Sequence, residues 1–203
     1  MFKSTDNAAS WTAATNGFNA YTVRAIIFDN AWNLYAATEN GVWFSTNAGG
    51  TWVAKSAGLQ YPRLKSLATN GTNRLFAGTE YYGVYGSNDA GKNWSERNIG
   101  LAALRQVFMR TLLNGSIAVG IEGRGLMRST DHGMNWSQLS NETLFDRSVT
   151  SLFVKGSGEL ILTTTFRIFR STDNGVNWIL TGYPLDVNSS VVQALAIHAN
   201  GNM

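Results

Sequence analysis

No cysteine occurs among the 203 residues, which excludes a disulfide framework, a thiolate metal site and a thiol nucleophile. Histidine occurs only as His132 and His198, which leaves little for an imidazole metal site, and no cofactor is expected. Charged residues make up 14% of the chain, against roughly 25% in ordinary soluble domains. Sixteen Lys and Arg against thirteen Asp and Glu leave a net charge of +3 and no basic run, so no nucleic-acid partner is expected. No apolar stretch approaches the roughly 18 residues of a membrane-spanning helix, so no membrane insertion is expected, and no charged-then-apolar leader opens the chain. Proline occurs only twice. What is abundant is Gly (21), Trp (7), and the Asn, Ser and Thr of turn-rich β structure.

One octapeptide recurs five times, at 4–11, 45–52, 87–94, 129–136 and 171–178, with successive first serines 41, 42, 42 and 42 residues apart. It reads Ser-x-Asp/Asn-x-Gly/Ala-x-x-Trp and carries the pairs Asp6/Trp11, Asn47/Trp52, Asp89/Trp94, Asp131/Trp136 and Asp173/Trp178. The short acid or amide side chain accepts backbone N–H groups one or two residues on, and Gly allows the left-handed backbone of a reversal. Trp then opens the outgoing strand and carries its ring into the core. These ten residues are expected to be structural.

Between octapeptides lie short runs, two to six residues long, rich in apolar and β-branched types and bounded by Asn, Gly or Asp. They are Val23–Phe28, Leu34–Ala37 and Gly41–Phe44; then Leu64–Ala68, Leu75–Gly78 and Val84–Tyr85; then Val107–Met109, Ile117–Gly120 and Leu126–Met127; then Val149–Val154, Leu160–Thr164 and Ile168–Phe169. Helical periodicity of useful length is absent. Each period of about 42 residues therefore supplies four short antiparallel strands, A to D, with the octapeptide between C and D. The predicted fold class is all-β, a β-propeller of four-stranded blades, with residues 1–203 forming one domain. Phe2–Lys3 is read as a strand C and Val191–Ile197 as a strand A, so the first and last blades are incomplete. The termini then complete one blade of a five-blade ring, or the chain is part of a longer ring, or chains self-associate through the open edges. The missing B strand favours the longer ring.

The octapeptides resemble those of the Asp-box (BNR) propellers, a group that includes sialidases, endoxyloglucanases, sortilin-type receptors and photosystem II assembly-factor-like proteins. The resemblance covers all five periods. It implies a propeller with the boxes on the outer rim, and a secreted, periplasmic or cell-surface location.

Candidate contacts lie on the face formed by D–A and B–C loops. The B–C loops repeat an acid, Glu39, Glu80 and Glu122, with Thr165 in the fourth period. Beside them stand Tyr81, Tyr82, Arg124, Phe166 and Arg167, while the D–A loops bring Tyr21, Tyr61, Arg63, Arg105, Asp146 and Arg147. Arg24, Lys65, Gln106, Thr150 and Gln193 are read as one polar column along the A strands. Aromatic platforms among polar groups suit a carbohydrate or a protein segment, and Tyr81–Tyr82 is the least repeat-like element.

A sialidase needs three arginines converging on a carboxylate, a Tyr–Glu pair and an acidic residue; Phe166-Arg167-Ile168-Phe169 imitates the associated motif but runs straight into strand C. An inverting glycosidase needs two carboxylates in differentiated surroundings, whereas Glu80 and Glu122 occupy equivalent places. The expected function is a non-catalytic binding or scaffolding module. The alternative is a piece of a glycoside hydrolase, sialidase-like or endoxyloglucanase-like.

Overall fold

A computed structural model describes residues 1–20, 22–71, 73–101, 105–139, 149–165 and 167–181. The sequence readings at Tyr21, Asp146, Arg147, Phe166 and 182–203, including the strand at Val191–Ile197, lie outside the described residues. The chain divides into two compact units, Met1–Arg97 and Asn98–Met203.

Among the described residues there are eighteen strands and no helix. In the first unit, β1 (Phe2–Lys3) and β2 (Thr12–Ala13) form a two-stranded sheet. β3 (Val23–Phe28), β4 (Leu34–Thr38), β5 (Gly41–Ser45) and β6 (Val53–Ala54) form the next sheet. β7 (Leu64–Thr69), β8 (Leu75–Thr79), β9 (Val84–Ser87) and β10 (Ser95–Glu96) form the third. The second unit holds β11 (Gln106–Thr111), β12 (Ile117–Ile121), β13 (Gly125–Ser129) and β14 (Ser137–Gln138) in one sheet. Its other sheet is β15 (Val149–Val154), β16 (Leu160–Thr164), β17 (Ile168–Ser171) and β18 (Ile179–Leu180). Each four-stranded sheet is an antiparallel meander in chain order, as the period predicts.

Each A strand carries one irregularity at the same place: Val23/Ala25, Leu64/Ser66, Gln106/Phe108 and Val149/Ser151. The extra residue shifts which side chains share a face. By its pairing with Ile121, Gln106 matches Val23, Leu64 and Val149 rather than Lys65. It is buried, and its amide has no hydrogen-bond partner among the described residues. The polar column read from the sequence is therefore broken at Gln106.

The first unit's core gathers Tyr35, Val42, Leu64, Leu67, Leu75, Tyr85 and Trp94; the second's gathers Phe108, Leu126, Val149, Leu152, Leu162, Phe169 and Trp178. The octapeptide turns join sheets to these cores. In all five, the Oδ1 of Asp or Asn accepts the backbone N–H four residues on, at 2.8–2.9 Å. This is a wider reach than the one or two residues expected from the sequence. The leading serine donates to the same oxygen and accepts the N–H of the Gly/Ala position at 2.7–2.9 Å.

The tryptophan then latches onto the preceding sheet. Trp52 Nε1 donates to Ala14 O (3.1 Å), Trp94 Nε1 to Lys55 O (2.9 Å) and Trp178 Nε1 to Leu139 O (3.4 Å), each acceptor following a D strand. The backbone N–H groups of Trp52, Trp94 and Trp136 donate to Asn16, Ala57 and Ile99, each followed by a glycine. At Gly17, Gly58 and Gly100, φ is +75, +87 and +85, and an added Cβ would lie 2.3–2.5 Å from the same tryptophan's carbonyl oxygen. Trp52, Trp94, Trp136 and Trp178 are buried, whereas Trp11 is 61% exposed. Trp11 therefore departs from the equivalence expected of the five.

Candidate binding face

The B–C loops are fixed by the last residue of each B strand. Thr38 Oγ1 donates to Gly41 O (2.8 Å) and accepts Asn40 N–H (3.0 Å). Thr79 Oγ1 donates to Gly83 O (2.9 Å) and accepts Tyr82 N–H (2.8 Å). Thr164 Oγ1 serves Arg167 in the same two ways. In the third period Ile121 replaces threonine, and its carbonyl accepts Arg124 N–H at 3.1 Å. These buried threonines were missed by the sequence reading. A signal was present, since Thr38-Glu39, Thr79-Glu80 and Thr164-Thr165 recur in register.

In the first unit this scaffold brings several candidates together. Glu80 N–H donates to Arg63 O (3.0 Å), tying the B–C loop to the D–A loop, and Gly41 N–H donates to Pro62 O (2.9 Å). The carboxylate of Glu80 faces Lys65 Nζ at 3.7 Å. Tyr61 and Tyr82 stack with ring centroids 3.4 Å apart and planes 5° from parallel. Tyr81 and Tyr82 remain exposed at 51% and 44%. Arg63 is exposed and Glu39 half-buried, and among the described residues neither side chain has a partner.

In the second unit the equivalent glutamate is held more tightly. Arg105 Nε lies 2.9 Å from Glu122 Oε2 and its NH1 donates to Oε1 (3.2 Å), a forked pair, while Glu122 N–H donates to Arg105 O (3.1 Å). Arg124 is exposed and Arg167 half-buried. Glu80 and Glu122 thus belong to different units, each with its own cation. The backbone tie is repeated, Glu80 to Arg63 and Glu122 to Arg105, but the cations come from different positions, Lys65 on strand A and Arg105 on the D–A loop.

Among the described residues no cluster of three or more His, Asp or Glu side chains suits a metal ion. His132 is exposed inside its octapeptide, with φ 60. The octapeptide acids Asp6, Asp89, Asp131 and Asp173 are lowered to about 2. For Asp89 and Asp131 the asparagine amide four residues on lowers it most, followed by that residue's N–H and the leading serine. These carboxylates are bonded within their own turns.

No family model and no curated protein matches the sequence. Solved structures do match in shape. The GH74 xyloglucanase from Xanthomonas campestris aligns with a TM-score of 0.74 at 18% identity, over 94% of this chain and 36% of that one. A YCF48 protein bound to D1 peptide aligns at 0.65 and 19% identity, over 82% of this chain and 54% of that one. The extracellular domain of a one-component system from B. thetaiotaomicron aligns at 0.69 and 13% identity, over 82% and 25%. This chain spans about a quarter to a half of their length. Their activities differ and their architecture does not: with its all-β meanders of four strands, this chain has the β-propeller fold.

Proposed function

We infer that the chain is a non-catalytic binding module of a secreted or cell-surface protein, holding a glycan or a protein segment on the face built by D–A and B–C loops. One observation carries the reading: the parallel Tyr61–Tyr82 stack with Tyr81 exposed beside it and the Lys65–Glu80 pair adjoining. A stacked ring pair is a rigid apolar surface whose ordering cost is already met, and flanking polar groups give direction to a ligand. The acids support binding over catalysis, because each is engaged by a cation, Glu80 by Lys65 and Glu122 by Arg105. An extracellular setting draws support from the extracellular sensor domain among the similar structures.

The test is a glycan array and a peptide array on the full chain, followed by titration calorimetry of any hit. Tyr81→Ala and Tyr82→Ala are expected to weaken binding by about 1–3 kcal/mol each, with the melting temperature little changed for Tyr81→Ala. Unchanged affinity in both would defeat the assignment. Turnover of a fluorogenic glycoside, abolished by Glu80→Gln or Glu122→Gln, would replace it with a hydrolase.

A further inference from the structure

Seven non-glycine residues among the described ones take positive φ. Six lie within the octapeptides, where the turn is over-determined by the Ser and Asp hydrogen bonds. The seventh is Trp32, at φ 61, in the turn between β3 and β4. That turn closes with Asp29 N–H donating to Asn33 O, just as Leu112 N–H donates to Ser116 O and Lys155 N–H to Glu159 O. The residue before the closing carbonyl in those two turns is Gly115 (φ 79) or Gly158 (φ 86). Trp32 thus occupies a glycine's place. A bulky residue there is strained, and observed strain of this kind is a reason to look for a function.

Packing does not explain the choice. Trp32 is 78% exposed, and among the described residues its one ring contact is edge-on to Phe28, itself 52% exposed, with centroids 5.8 Å apart. Its two neighbours, Ala31 and Asn33, line an open cleft of about 330 Å³, together with Asn30, Tyr35, Phe44 and Asn73. Asp29 holds the turn by accepting from Ala31 N–H and Asn33 N–H (both 2.9 Å) and from the Asn33 amide (2.8 Å). The nearby cation is also engaged: Lys55 Nζ donates to Ala90 O (2.9 Å) and sits 3.7 Å over the Phe44 ring. The side-chain amides of Asn30 and Asn73, both exposed, have no partner among the described residues. The groups left to meet a ligand are therefore neutral amides, each both donor and acceptor, beside an exposed indole.

We propose that the β3–β4 turn is a saccharide-binding subsite, with the Trp32 indole stacking on the C–H face of a sugar ring and the Asn30 and Asn73 amides meeting its hydroxyls. Neutral amides with an exposed aromatic ring match a neutral polyhydroxyl compound; an anion would call for a free cation, and an apolar ligand for an apolar cleft. The turn lies at the opposite end of β4 from Glu39, so this subsite does not rest on the reading of the D–A and B–C face.

Cellohexaose, maltohexaose and chitohexaose are titrated separately into the full chain, followed by tryptophan emission and by calorimetry. At least one is expected to bind saturably, and Trp32→Gly and Trp32→Asn to weaken it about tenfold or more. Both replacements suit a left-handed backbone, so both variants should melt at or above the parent temperature. Absence of binding by all three sugars overturns the proposal, as does parental affinity in both variants. A fall in melting temperature in both would make Trp32 a structural cover, and a dimer in sedimentation that depends on Trp32 would make the patch a self-association surface; either result also overturns it.

Discussion

Gly58 and Gly115 share a left-handed backbone, φ +87 and +79, in different surroundings. A Cβ on Gly58 would lie 2.3 Å from the carbonyl oxygen of Trp94, while one on Gly115 would meet nothing within 4 Å. Gly58→Ala is therefore expected to cost about 3 kcal/mol, from strain plus a backbone clash that cannot relax cheaply, and Gly115→Ala about 1 kcal/mol from conformation alone. Urea denaturation of the two variants checks this; equal losses would mean that the tryptophan carbonyl does not impose the glycine. Gln106 points the other way. Its amide is buried with no partner among the described residues, where three other sheets place Val23, Leu64 and Val149, so Gln106→Val should stabilise by about 1 kcal/mol. At this scale the acids, glycines and tryptophans of the octapeptide were legible because repetition exposes them. Gly17, Gly58 and Gly100 were not, because what demands them is a carbonyl in the following octapeptide.

At the scale of elements, the latch between sheets carries the energy. Trp94 is buried and its Nε1 donates both to Lys55 O in the preceding sheet's edge and to Gly91 O in its own turn. Trp94→Ala should cost about 3–5 kcal/mol, the range for emptying an aromatic site, whereas Trp11→Ala should stay within about 0.5 kcal/mol. Chemical denaturation read by circular dichroism separates the two; a large loss at Trp11 would reveal a cover over it. Strand positions followed from the sequence with small shifts at their ends, since short β-branched runs between turn residues leave little freedom. The irregularity in each A strand was not legible. The polar column matched positions across the A strands, and it took Gln106 one residue out of register, at the place of Leu64 rather than of Lys65. On the candidate face, the acids were picked out by their register and Tyr81–Tyr82 by its departure from the repeat, but the Tyr61–Tyr82 stack joins two loops and needed coordinates.

Across the whole molecule, four octapeptide carboxylates, Asp6, Asp89, Asp131 and Asp173, sit at about 2, below the ordinary 3.8. A folded-state value lower than the unfolded one adds stability above the unfolded value and loses it as the carboxylate protonates in the fold. The melting temperature should thus hold steady down to about pH 4 and fall between about pH 4 and 2, with all four groups acting in one window. Asp6 is exposed and the other three are half-buried at the surface, so each contributes modestly and is screened by salt. Asn47 shows that an amide can serve the same turn, its Oδ1 accepting Thr51 N–H at 2.8 Å. The double variant Asp131→Asn/Asp173→Asn should accordingly have a shallower acid limb at little cost near neutrality. An unchanged limb would assign the acid loss to other groups.

Because the tryptophan of one period closes onto the strand end of the period before it, inheritance by recombination has an unusual freedom here. Excising residues 45–86 would join Phe44 directly to Ser87 and leave the reading of strand, octapeptide and strand unbroken. The carbonyls of Ala14 and Asn16, which now receive Trp52, would receive Trp94 instead. An unequal crossover between equivalent positions of two periods keeps strand, octapeptide and strand in the same order. Blade number in such a lineage can therefore change by whole steps without passing through an intermediate whose joints fail to fit.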